Sequence, residues 1–168
     1  MATEKAPNPV KKHLLLASIS LGVLLVDQLT KLWIKSFLQL GESFPEDWPV
    51  RFTYVQNTGI AFGLKANQFF LIFVTSAVII ALLVFTLSYH HVQPKLVRIG
   101  LASMIGGAVG NLLDRVRVGY VTDFVDLQIW PVFNIADSSV VVGVGLLLFF
   151  FLFHPEARPQ NPDKQVKA

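Results

Sequence analysis

The sequence predicts an all-α membrane protein: four transmembrane helices with a small β-sheet cradle and a surface helix or loop on the outer side. Three observations carry that prediction. Of the 168 residues, 53% belong to the apolar set and only 15% are charged, where soluble domains carry about 25%; the mean hydropathy is +0.56. The apolar residues are gathered into blocks such as Phe69–Leu87, which holds no charge, and a bilayer solvates such a block where water does not. Two connections between the blocks instead alternate β-branched and aromatic residues, as strands do. The length suits one integral domain over residues 1–168.

The first span covers about residues 13–37, preceded by Lys5, Lys11 and Lys12. It opens like a secretory signal peptide, but no small-x-small cleavage site follows Leu25. Asp27, Lys31, Trp33 and Lys35 come instead, as in an uncleaved helix whose outer end meets headgroups. The second span covers about residues 68–89 and is followed by His90, His91 and Pro94. The third, about 96–113, is rich in small residues, with Gly106, Gly107, Ala108 and Gly110, so it is expected to pack closely on its neighbours. The fourth covers about 135–153 and ends in Phe149, Phe150, Phe151 and Phe153. Four spans place both termini on one side.

Lysine and arginine divide eight to six in favour of the terminal side, which points to cytoplasmic termini. The two outer segments, about 41–66 and 118–131, hold the strand-like stretches Arg51–Val55 and Tyr120–Trp130. They are expected to form a sheet at the outer membrane surface with its apolar face toward lipid. A net charge of +3 raises nucleic acid as a partner, but the basic residues sit singly at the edges of apolar blocks, as membrane anchors do. With no cysteine there is neither a disulfide framework nor a thiolate metal site.

Acids within or beside spans cost a few kcal/mol on insertion scales, roughly 2.5–3.5 for Asp, and each needs an explanation. Asp27 precedes Lys31 by one helical turn and is read as its structural ion-pair partner. Asn111, Asp114 and Arg115 share one face at the outer end of the third helix, where a carboxylate can brace the Arg115 fork. Asp123, after the third helix, and Asp137, in the first turn of the fourth, are returned to one membrane face. Each has a plain alternative: Asp123 as a polar loop residue, Asp137 as an acid favoured by the helix dipole. Asp126 adds a possible three-carboxylate metal set with them. If Asp123 and Asp137 meet in a dry site they share one proton, and such a pair holds a base and an acid at one pH. That pair can activate water against a peptide carbonyl, with Asn57, Asn111 and Asn134 as neutral supports.

Five segments of the chain together resemble lipoprotein signal peptidase, also called signal peptidase II, of bacterial inner membranes. They are Val26–Lys31, Asn57–Phe62, Gly106–Arg115, Val121–Phe124 and Phe133–Ser138. Ile60 departs from the family, which usually has Ala there. The resemblance implies that Asp123 and Asp137 are the catalytic dyad, that Asn57, Asn111, Arg115 and Asn134 line or support the site, and that Asp27 is structural. It leaves Asp126 outside the catalytic set, so no metal or other cofactor is expected. It further implies a diacylglyceryl-modified prolipoprotein as substrate, cleaved just before the lipidated cysteine. The enzyme would be a monomer among membrane lipids, with its site on the periplasmic face and residues 41–66 cradling the scissile bond. The competing reading is a small proton-coupled transporter, which would place acids near the bilayer midplane and show repeat symmetry. A purely structural assembly protein ranks third.

Overall fold

A computed structural model of the chain describes residues 9–59, 67–89 and 93–154, with side chains in the first helix from His13 onward. Ile60, the rest of the outer segment to residue 66, His90, His91 and the terminal lysines and arginine used for orientation lie outside the described residues or side chains.

Helices α1 (Pro9–Phe37), α2 (Gln68–Ser88), α3 (Lys95–Val118) and α4 (Ile135–Phe153) are each long and apolar enough to cross a membrane. Even α4, with 19 residues, reaches about 28 Å at 1.5 Å per residue, close to a hydrocarbon core. Helix α1 starts at Pro9, four residues before the expected start, and ends at Phe37 as expected, while α4 covers the expected residues. Tyr89 is the cap of α2 rather than its last turn, its N–H closing on the Phe85 carbonyl. The larger correction is α3, which continues past Leu113 to Val118. Charge limits where a helix can sit in lipid but does not break it. What ends α3 is Gly119, whose left-handed φ of 78° lets its N–H reach the Arg115 carbonyl and turns the chain back.

The other three helices pack around α3. Its glycines set the approach: a Cβ on Gly106 would lie 2.6 Å from the Ser20 carbonyl of α1, and one on Gly107 would collide with the Ala136 carbonyl of α4. Leu14, Leu21, Leu25, Leu29 and Leu32 of α1, with Phe69, Phe73 and Ile80 of α2, remain exposed. An apolar outer surface of this kind suits a lipid solvent.

A three-stranded antiparallel sheet covers one end of the bundle in the order β1–β2–β3, with β1 at Ser43–Phe44, β2 at Arg51–Asn57 and β3 at Val121–Asp126. The two-residue β1 was not legible in the sequence. The apolar residues of the sheet divide between the bundle and the outside. Tyr54 of β2 and Phe124 of β3 are buried against Ile34 and Leu38 of α1, because the outer turns of α1 offer an apolar surface nearer than lipid. Phe52, Ile129 and Trp130 stay exposed. Two basic residues near helix ends are buried. Arg98 donates to the Gln93 carbonyl at 2.7 Å, and Lys31 is only 2% exposed.

Candidate active site

Every residue singled out in the sequence lies at the sheet-covered end of α1, α3 and α4, except that Asp126 faces away. The register of β2 on β3 pairs Val55 with Asp123 and Asn57 with Val121, so Asn57 sits diagonally across from Asp123 on the same face. Its amide donates to Asp123 Oδ2 at 2.8 Å. Gly59 N–H in turn donates to Asn57 Oδ1 at 3.0 Å, fixing the orientation of that amide.

Asp137 reaches the site as the third residue of α4, in a reciprocal cap. Asn134 Oδ1 accepts from the Asp137 N–H at 2.9 Å, and the Asn134 N–H donates to Asp137 Oδ2 at 3.2 Å. The capping alternative for Asp137 is therefore correct, and it does not compete with a chemical role. The cap fixes one carboxylate oxygen, while Oδ1 accepts the Asn111 amide at 2.8 Å.

Asn134 joins the two acids. It is fully buried, and its amide donates to Asp123 Oδ1 at 2.6 Å and to Asn111 Oδ1 at 3.1 Å. Thus three asparagines, from β2, α3 and the start of α4, bracket the two aspartates without adding charge. Burial, and next the charge of Asp137, push the Asp123 carboxyl up to about 7, against the amides of Asn57 and Asn134 and the Lys31 ammonium.

The remaining acids are engaged elsewhere. Asp126 is ion-paired with Arg51 at 2.8 Å and accepts from Thr53 and the Gln128 N–H, so the three-carboxylate set with Asp123 and Asp137 is not assembled. Strand alternation explains this: Asp123 and Asp126 are an odd number of places apart and project from opposite faces. Asp27 is Lys31's partner, as expected, at 2.8 Å. Asp114 does not brace Arg115; it pairs with Lys31 at 3.0 Å. Among its side-chain groups Arg115 shows one long bond, to the Asn111 carbonyl at 3.4 Å, and its buried Nε has no partner. The sequence pairs Lys31 with Asp27 but not with Asp114 and Asn111, which Lys31 also reaches. Its signal was present in the spacing to Asp27, but its third dimension was not.

A family model described as signal peptidase (SPase) II matches residues 19–153. The chain belongs to the signal peptidase II family. The lipoprotein signal peptidase of Moorella thermoacetica is 44% identical over 147 residues, 86% of this chain and 97% of that one. That of Halothermothrix orenii is 42% identical over 134 residues, 79% and 91% of the two chains. A bacterial membrane enzyme solved by the in meso method at 2.3 Å superposes with a TM-score of 0.77 at 32% identity, covering 87% of this chain and 92% of that one. A second, at 1.9 Å, gives 0.73 at 33% identity over 82% and 92%. Membership makes the chain a peptidase and sets aside the transporter alternative, and its four apolar helices fit a multi-pass protein of the bacterial inner membrane.

Proposed function

We propose that this signal peptidase II removes the signal peptide from diacylglyceryl-modified prolipoproteins, cutting just before the lipidated cysteine, with Asp123 and Asp137 as the reacting pair. The single observation that carries the reading is Asn134, which bonds to both aspartates at once and so holds them in one hydrogen-bonded unit. We assign the general base to Asp137, which lies in the first turn of α4, accepts a backbone N–H and faces an asparagine amide. Asp123, the carboxyl that burial favours as neutral, holds the proton.

In the reaction, Asp137 takes a proton from water as the water oxygen adds to the scissile carbonyl, and Asp123 gives its proton to the carbonyl oxygen. On collapse the C–N bond breaks and Asp137 passes its proton to the departing amine, which becomes the new N-terminus. A diol hydroxyl returns a proton to Asp123, leaving a carboxylic acid on the signal peptide and restoring the pair. We assign Arg115, whose buried Nε has no hydrogen-bond partner, to a substrate carbonyl near this centre. The exposed apolar flanks of the site suit lateral entry of a lipid-bearing peptide. The lysine and arginine excess on the terminal side supports cytoplasmic termini and a site at the outer face. We read the chain as one domain acting as a monomer.

The test is purified full-length protein with a diacylglyceryl-modified lipobox peptide, with and without chelator. Asp123→Asn and Asp137→Asn are both expected to abolish cleavage while remaining folded, and chelator is expected to change nothing. Cleavage retained by either variant would remove the pair from the mechanism.

A further inference from the structure

Beneath the two aspartates lies a second charged group. Lys31 has three ammonium protons and three acceptors: Asp27 Oδ2 at 2.8 Å, Asn111 Oδ1 at 2.9 Å and Asp114 Oδ2 at 3.0 Å. Each of the two acids also binds a peptide N–H. Asp27 Oδ1 accepts from Ala136 N–H at 2.9 Å, and Asp114 Oδ2 accepts from Thr122 N–H at 3.2 Å. Ala136 immediately precedes Asp137, and Thr122 immediately precedes Asp123. The third acceptor, Asn111, donates directly to Asp137. One buried cation therefore reaches both aspartates by separate routes, through four elements of the fold.

We propose that Lys31 is a positioning residue for the peptidase reaction: by clamping Asp27 and Asp114 it holds the peptide units that carry Asp137 and Asp123, and through Asn111 it sets the charge that Asp137 experiences. The inference rests on the assignment of Asp123 and Asp137 as the reacting pair. The charged and titratable groups around it are Asp27 on α1, Asp114 and Arg115 on α3, Asp123 on β3, Asp137 on α4 and Tyr120 beside Asp114, with Tyr54 of β2 hydrogen-bonded to Tyr120 and Lys35 of α1 over its ring; among the described residues α2 contributes none to this cluster. A lysine serving only to tie helices together would need neither the two N–H contacts next to the aspartates nor the Asn111 link. Its charge also opposes proton retention at Asp123.

The experiment compares Lys31→Met with the charge-balanced Lys31→Met/Asp114→Asn, measuring kcat, KM, pH profile and thermal stability on the lipid-modified peptide. The double variant removes one positive and one negative charge, so the net charge of the cluster is unchanged and Asp27 keeps its bonds from the Ala136 N–H and the Gln28 amide. Both variants are expected to lose kcat by about 30-fold or more, the scale of a misplaced general acid or base, with KM within about threefold. The alkaline limb of kcat in Lys31→Met is expected to move to higher pH. A folded double variant with parental kcat, a loss confined to KM, or a double variant that does not fold would overturn the proposal. Running Asp123→Asn and Asp137→Asn beside them separates the two readings. If either of these still cleaves, the reacting pair is wrong; if both are dead while the Lys31 variants turn over normally, only the role of Lys31 is.

Discussion

Asn134 donates its side-chain amide to Asp123 across 2.6 Å while its own carbonyl oxygen caps the N–H of Asp137. The residue that starts helix α4 is thus the same one that ties its first acid to the sheet, and helix capping and site assembly are one interaction.

Replacing Asn134 with alanine removes both functions. The loss of an N-cap costs about 1 kcal/mol, and the unsatisfied buried groups it leaves cost about 1–3 kcal/mol more. Asn134→Ala is expected to lower the thermal midpoint and to cut kcat by at least about tenfold, since Asp123 and Asp137 lose their common tether. Parental turnover in a folded Asn134→Ala protein would show that the tether is dispensable.

The pH dependence follows from Asp123, whose carboxyl is raised from 3.8 to about 7. Above that value its proton is lost, so kcat is expected to fall on the alkaline side, roughly tenfold or more between pH 6.5 and 8.5. Stability has a linked sign. Between 3.8 and about 7 the folded state holds a proton that the unfolded state has released, so the stabilising contribution is present below that window and declines as pH rises through it. Asp123→Asn is expected to be more thermostable than the parent at neutral pH, with the gain vanishing near pH 4. Equal melting curves at both pH values would contradict this.

Gly110 gives a steric test of the same site. A Cβ there would lie 2.5 Å from Asp27 Oδ2, whereas one on Gly22 meets nothing within 4 Å. Alanine is favoured over glycine in a helix by about 1 kcal/mol, so Gly22→Ala is expected to be neutral or slightly stabilising. Gly110→Ala is expected to displace Asp27 from Lys31 and Ala136, lowering both stability and kcat. Similar behaviour of the two variants in melting and turnover assays would refute the close-approach account.

Asp126 serves as the contrast. Asp126 is buried, pairs with partly exposed Arg51 and accepts from Thr53 and the Gln128 N–H, and it faces away from Asp123 and Asp137. Asp126→Asn is expected to keep kcat within about threefold while costing about 1–3 kcal/mol of stability, because a buried, triply bonded carboxylate loses its charge. A large loss of turnover would place Asp126 back in the chemistry.

The four helices, the two main strands and the identity of the polar residues were legible because each is encoded locally: a charge-free block too apolar for water, an alternating stretch, an acid in a segment where acids are expensive. The pairing of Asp27 with Lys31 was also local, one helical turn apart. What lay beyond the sequence were the choices among partners. Asp114 had Arg115 beside it in the chain, yet Lys31 of another helix takes it, because the glycine face of α3 lets α1 approach until a buried ammonium needs a third acceptor. Asp123 and Asp126 looked equivalent until the β2–β3 register sent them to opposite faces. Composition and periodicity are properties of single segments. Which carboxylate meets which cation depends on how closely two segments approach, and only the packed fold decides that.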